Sequence, residues 1–354
     1  MPLRIEGETR RYRSRLPLFL SQSRDHTIET TPTTNTQNTM SHVSSLWRRP
    51  MLNRNPDEHH RQASFLELFF DLCFVVAIAQ AAAGLHHAIA ADHLGEGLVG
   101  YAMLFFAIWW AWMNYTWFAS AYDNDDVPFR LASFVQITGS IIIAAGIAPA
   151  FEQQNFDLIF IGYTVMRIGL VALWFRAGRH NPDRKKTAMR YVTGLGILSI
   201  GWGTMFVTGQ WPVWAFAGMA MLELVVPYWA EKAGRTPWHP GHIAERFGLL
   251  VIIVLGESIL AATGAVGAAL TSSAGFETGM IDVVLGGLLT LFAAWWIYFV
   301  KEAGEFLEPS NEGFGWAYGH YLIFGLAAAM GAGLAVNIEH GHNPNFIFIY
   351  NDDI

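Results

Sequence analysis

The chain has 354 residues, of which 53% are hydrophobic, 14% aromatic and only 14% charged. Soluble domains carry nearer a quarter charged residues, so composition alone argues against a soluble globular protein. The formal charge of −7 speaks against nucleic-acid binding, and the single cysteine, Cys73, excludes an internal disulfide and reads as a small core residue.

Residues 1–60 show no sustained apolar period and are rich in Arg, Ser and Thr, with a polar tract at 27–39. This pattern predicts a disordered cytosolic arm. The apolar stretch at 16–20 is too short for a secretory signal, which needs about 7 to 15 apolar residues, and Met40 offers an alternative start.

From 61 to 340 the chain is a succession of apolar runs, each near the roughly 20 residues that cross a bilayer as a helix. About nine spans are expected, at 65–86, 97–121, 129–150, 157–176, 188–208, 211–230, 246–268, 281–300 and 319–338, followed by a short irregular tail at 341–354. The expected fold is all-α, a polytopic transmembrane helical bundle. With a cytosolic amino terminus, the inner segments receive Arg48, Arg49, Arg54 and Arg61, then Arg130, the basic group from Arg176 to Arg190, Lys232, Arg235, Arg246 and Lys301. The outer loops receive no Lys or Arg, which fits the positive-inside rule for a multi-pass protein of the cell inner (plasma) membrane.

A weak internal repeat accompanies the spans. The segment opening at Glu67 resembles the one opening at Glu245, and the tryptophans from Trp109 resemble Trp295 and Trp296. Six spans separate the copies, as in a parallel 6+6 repeat, so the expectation is a truncated array that stops after its ninth helix.

Ionisable residues inside spans are costly and therefore need partners or a function. Glu67 and Asp71 stand one turn apart on one helix face. Arg167 reads as the one cation deep in a span, with Asp71, Glu223 or Glu257 as candidate partners. Glu257 lies mid-span between Gly256 and Ser258, where a carboxyl can take up a coupling proton or serve as a core acid. Glu223 precedes Pro227 by four residues, which predicts a kink. At the inner mouth of the seventh span, His242, Glu245 and Arg246 form a polar cluster; two ligands at i, i+3 spacing make a weak metal site, and an interfacial cap with a local ion pair is the plainer reading. His86, His87, Asp92, His93 and Glu96 read as a solvated loop before a cation site. Trp109, Trp110 and Trp112 read first as packing residues and second as a cavity lining. No metal or cofactor is expected, and no nucleophile elbow or phosphate loop supports an enzyme.

The run from Arg61 to Ala77, the tryptophans at 109–112 and above all the block from His242 to Ile259 resemble the bacterial low temperature requirement protein A family. The resemblance covers about 61–338 and implies a multi-span membrane protein linked by name to growth in the cold, with no established molecular activity. The leading expectation is a proton-coupled transporter or ion permease built on Glu67, Asp71, Arg167, Glu223 and Glu257. The alternative is a membrane sensor or lipid-interacting scaffold in cold adaptation. The expected partners are the lipid bilayer, a small solute or ion and, optionally, a second copy in a homo-oligomer. A mid-depth cavity shared by at least two of Asp71, Arg167 and Glu257 would mark a transporter; closed ion pairs would mark a scaffold.

Overall fold

The computed structural model describes residues 47–56, 58, 61–271, 278–301, 303–304, 307 and 313–340. The expectations for most of the arm and for the tail at 341–354 lie outside these residues. Among the described residues nine helices are long and apolar enough to cross a membrane. They are α1 (Phe65–Ala90), α2 (Leu94–Tyr122), α3 (Val127–Gln153), α4 (Asp157–His180), α5 (Lys185–Thr208), α6 (Val213–Glu231), α7 (Pro240–Thr271), α8 (Thr278–Phe299) and α9 (Gly313–His340).

Local chemistry sets their starts. Ser64 caps α1 in a reciprocal box, its hydroxyl accepting from the Glu67 N–H at 3.3 Å while a Glu67 oxygen accepts from the Ser64 N–H at 2.8 Å. Asp126 caps α3 through the Phe129 N–H at 3.0 Å, with proline next in the first turn. Pro240 opens α7, and His239 Nδ1 accepts from the His242 N–H at 3.0 Å. His239 Nε2 must then be the donor to the Glu58 carbonyl, 2.7 Å away.

Small residues set the tightest crossing. A Cβ added at Gly139 would lie 2.5 Å from the Gly162 carbonyl, and one at Gly162 would lie 2.6 Å from the Gly139 carbonyl. Helices α3 and α4 therefore meet backbone to backbone, which is how helices associate where lipid offers no hydrophobic drive. Helix α2 is the hub, buried along most of its length from Met103 to Tyr122. Helix α8 is the opposite, with Leu285, Leu289, Phe292, Trp295, Trp296 and Ile297 all exposed. The tryptophans proposed as repeat equivalents therefore occupy unlike settings: Trp110 is 1% exposed and Trp296 67%.

The last stretch of the expected arm is held against the bundle. The Arg49 N–H donates to Asp126 at 2.8 Å, the Asn53 N–H to Asn181 at 3.0 Å and the Arg54 N–H to the Ala121 carbonyl at 2.9 Å, while Met51 is fully buried. This strap lies at the end of the bundle where α1 begins, the end that also carries the loop cations. At that end Arg176 pairs with Asp126 and, overriding its burial, holds the Asp126 carboxyl below the usual range.

Candidate functional site

Two ion pairs and one cavity hold Glu67, Asp71, Arg246, Arg167, Glu223 and Glu257. The first pair joins α1 to α7. Arg246 donates from Nε to Asp71 Oδ2 at 2.8 Å and from Nη2 to Asp71 Oδ1 at 2.5 Å, and its Nη1 reaches Glu67 Oε1 at 3.0 Å. Trp112 of α2 adds an indole N–H to Asp71 Oδ1 at 2.6 Å, and Thr116 Oγ1 lies 3.3 Å from Nη2. Glu67, Asp71 and Arg246 are all fully buried. His242 Nε2 lies 3.2 Å from Glu67 Oε1 but off the line of a hydrogen bond, and neither ring nitrogen has a hydrogen-bond partner among the described residues.

This geometry corrects three expectations. Arg246 is not a loop or interfacial cation but a second guanidinium buried within a span. Its partners are Asp71 and Glu67 rather than its neighbour Glu245, which stays half-buried outside the cluster. His242 faces Glu67, so the i, i+3 pair with Glu245 is not made; among the described residues no three His, Cys, Asp or Glu side chains gather as metal ligands.

The second pair is Arg167 of α4 with Glu223 of α6. Glu223 also accepts the indole N–H of Trp202 at 2.9 Å and of Trp110 at 3.1 Å, and Arg167 Nη1 reaches the Leu195 carbonyl and Ser199 Oγ, each at 3.2 Å. Of the three candidate partners for Arg167, the fold selects Glu223. Helix α6 runs from Val213 to Glu231 through Pro227, and the Leu224 carbonyl beside that turn accepts the Tyr318 hydroxyl at 2.9 Å. Trp110 and Trp112 are two residues apart and thus face opposite sides of α2, each donating to a different ion pair. The sequence reading gave them packing and cavity roles and missed this one.

At the basic end beside the first pair, Arg61 donates to the Ser120 carbonyl and, at 2.8 Å, to the Ala119 carbonyl, closing the last turn of α2. Burial lowers its pKa to about 10. Asp123 is 6% exposed; burial, and behind it the Glu67 carboxylate, push its carboxyl up to about 6.

Glu257 joins neither pair. It lines a cavity of about 310 Å³ between α1, α7 and α9, in the half of the bundle toward the cation-free end. The walls are mainly alanine and glycine, with Ile78 and Val254 toward the basic end and His86 toward the other. Ser258 beside Glu257 donates to the α9 carbonyl of Ala327 at 3.1 Å, and a Cβ at Gly331 would lie 2.7 Å from Ser258 Oγ, so α7 and α9 touch here. Arg167 borders a separate aromatic pocket with Tyr163, Trp202, Trp211 and Phe216. The expected single centre of Asp71, Arg167 and Glu257 is thus three places, and no cavity described touches two of those residues.

Residues 62–349 match the model of the bacterial low temperature requirement A protein (LtrA). The chain belongs to the LtrA family. An uncharacterized protein of Rhizobium meliloti (strain 1021) is 32% identical over 295 residues, covering 77% of this chain and 68% of that protein. No solved structure matches the chain. The matched LtrA region spans both ion pairs and the Glu257 cavity.

Proposed function

We propose that this LtrA-family protein is a proton-coupled transporter or ion permease of the plasma (inner) membrane, with its amino terminus cytosolic and Glu257 as the carboxyl that carries the coupling proton. The observation that carries the reading is the cavity at Glu257: an acid within a membrane span, joined to no ion pair, facing about 310 Å³ of space instead of a packed neighbour. Such a carboxyl can hold a proton or a solute charge, but not both at once. In the proposed orientation the cavity lies in the outer half of the membrane. Ile78 and Val254 form its floor, and the Glu67–Asp71–Arg246 clamp lies below them toward the cytosol. The two ion pairs then hold helices in register and take no proton during transport. The protein acts on solutes without catalysis, and its surroundings are the lipid bilayer.

Both pairs are closed and no cavity described touches two of Asp71, Arg167 and Glu257, the outcome the sequence criterion assigns to the second reading, a sensor or lipid-interacting scaffold in cold adaptation that moves nothing. The test is reconstitution into liposomes loaded at a pH different from the bath, with an internal pH dye and candidate ions and solutes added outside. The transport reading predicts solute-dependent proton movement that Glu257→Gln abolishes. Proton movement identical in Glu257→Gln, or none with any solute while the protein is folded, refutes it.

A further inference from the structure

We infer that the Glu257 cavity selects a compact organic cation, an alkylated or primary amine carrying one positive charge; this rests on the transport reading for movement but not for binding. Glu257 is the only carboxyl among the cavity lining, the His86 imidazole at the far end is the other ionisable side chain there, and no Lys or Arg borders the space. The two guanidinium groups buried within the described spans are committed elsewhere, Arg246 to Glu67 and Asp71, and Arg167 to Glu223. An anion entering here would meet a carboxylate with no compensating cation.

The wall chemistry narrows the class further. Ser258 Oγ already donates to the Val254 and Ala327 carbonyls, and the Glu257 carboxylate accepts no hydrogen bond from any described residue. A polyhydroxylated neutral solute needs many donors and acceptors, which alanine and glycine walls do not supply. A bare inorganic cation needs a shell of oxygens, six to eight of them for calcium, and the lining offers one carboxylate and one engaged hydroxyl. An ammonium with short alkyl groups matches what is present: one carboxylate at one side, mainly alanine and glycine walls around it, and a single imidazole, His86, toward the cation-free end.

The surface at the cation-free end gives independent support. Asp92, Glu96, Glu152, Asp157 and Asp282 lie there, and the described residues of its loops include no Lys or Arg. A surface of one sign beside a low-dielectric cleft raises the local concentration of the opposite charge, here cations.

The test compares three solutes of nearly one shape on the detergent-solubilised full chain: choline, its neutral carbon isostere 3,3-dimethylbutan-1-ol, and the anion 3,3-dimethylbutanoate. Thermal unfolding reports binding, because a ligand of the folded state raises the apparent melting temperature. Choline is expected to raise it saturably and the other two are not. Glu257→Gln is expected to weaken choline by at least about tenfold. Ala261→Leu, which fills the cavity and keeps the acid, is expected to weaken it as well; together these variants separate loss of charge from loss of fold. Equal stabilisation by the neutral isostere, stabilisation by the anion alone, no response to choline in folded wild-type protein, or undiminished choline binding in Glu257→Gln overturns the inference. In liposomes, choline binding without any flux sustains the cation site and removes the transport reading. Glu257-dependent movement of an anion instead sustains transport and removes the cation site.

Discussion

Replacing Arg246 by methionine removes the one cation in contact with two fully buried carboxylates. Arg246 directs three N–H groups at Asp71 and Glu67 over 2.5 to 3.0 Å, and neither acid is exposed to water that could replace them. Breaking one buried pair by deleting a partner costs about 3 to 5 kcal/mol, because the remaining charge is stranded. Two acids share this guanidinium, so Arg246→Met is expected at the upper end of that range or beyond it. Adding Glu67→Gln and Asp71→Asn to the same chain removes the stranded charges while leaving oxygens to accept from the Ser64 N–H and the Trp112 indole. The triple variant is therefore expected to recover at least half of the loss. The assay is reversible unfolding in mixed micelles titrated with denaturing detergent, followed by tryptophan fluorescence. A cost below about 1 kcal/mol for Arg246→Met, the range of an exposed pair, or a triple variant less stable than the single one, refutes the clamp.

The second pair is expected to behave alike: Glu223→Leu strands Arg167 at a cost of about 3 to 5 kcal/mol, and adding Arg167→Leu restores part of it in the same unfolding assay. Asp123 predicts a pH dependence of defined sign. Its folded carboxyl titrates near 6, above the ordinary 3.8, so the folded state holds the proton more tightly and stability falls as pH rises from about 4 through 6. Melting profiles over that range are expected to show Asp123→Asn gaining on wild type as pH rises, and parallel profiles contradict the assignment. At the α3–α4 crossing, Gly162→Val drives a branched side chain into the Gly139 carbonyl and is expected to cost about 1 to 3 kcal/mol, whereas Gly196→Ala on α5, where a Cβ meets nothing within 4 Å, is expected to cost little.

The spans were legible because a membrane helix is written locally, as about 20 apolar residues with cations sorted to one side. The shared face of Glu67 and Asp71 was legible for the same reason, since i, i+4 spacing is a property of one helix. Their partner was not. Asp71 and Arg246 are 175 residues apart, and the sequence around Arg246 offers a nearer acid, Glu245, that the fold leaves outside. The Trp110 and Trp112 roles had a signal in their spacing, because two indoles two residues apart cannot serve one side of a helix. The Glu257 cavity had almost none: space is made by side chains that are missing, and alanines and glycines on α1, α7 and α9 read singly as ordinary packing residues. The strap at 47–56 was hidden because its contacts are made by backbone groups, which composition does not report.

The central claim is a division of labour, in which Glu257 does the work and the buried pairs hold the helices. Solute-driven proton movement, measured side by side in liposomes for wild type, Glu257→Gln and the Arg246→Met/Glu67→Gln/Asp71→Asn triple variant, tests it most directly. The account predicts that the triple variant still moves protons with solute while Glu257→Gln, equally folded, does not. Flux that survives in Glu257→Gln and vanishes in the folded triple variant would contradict it.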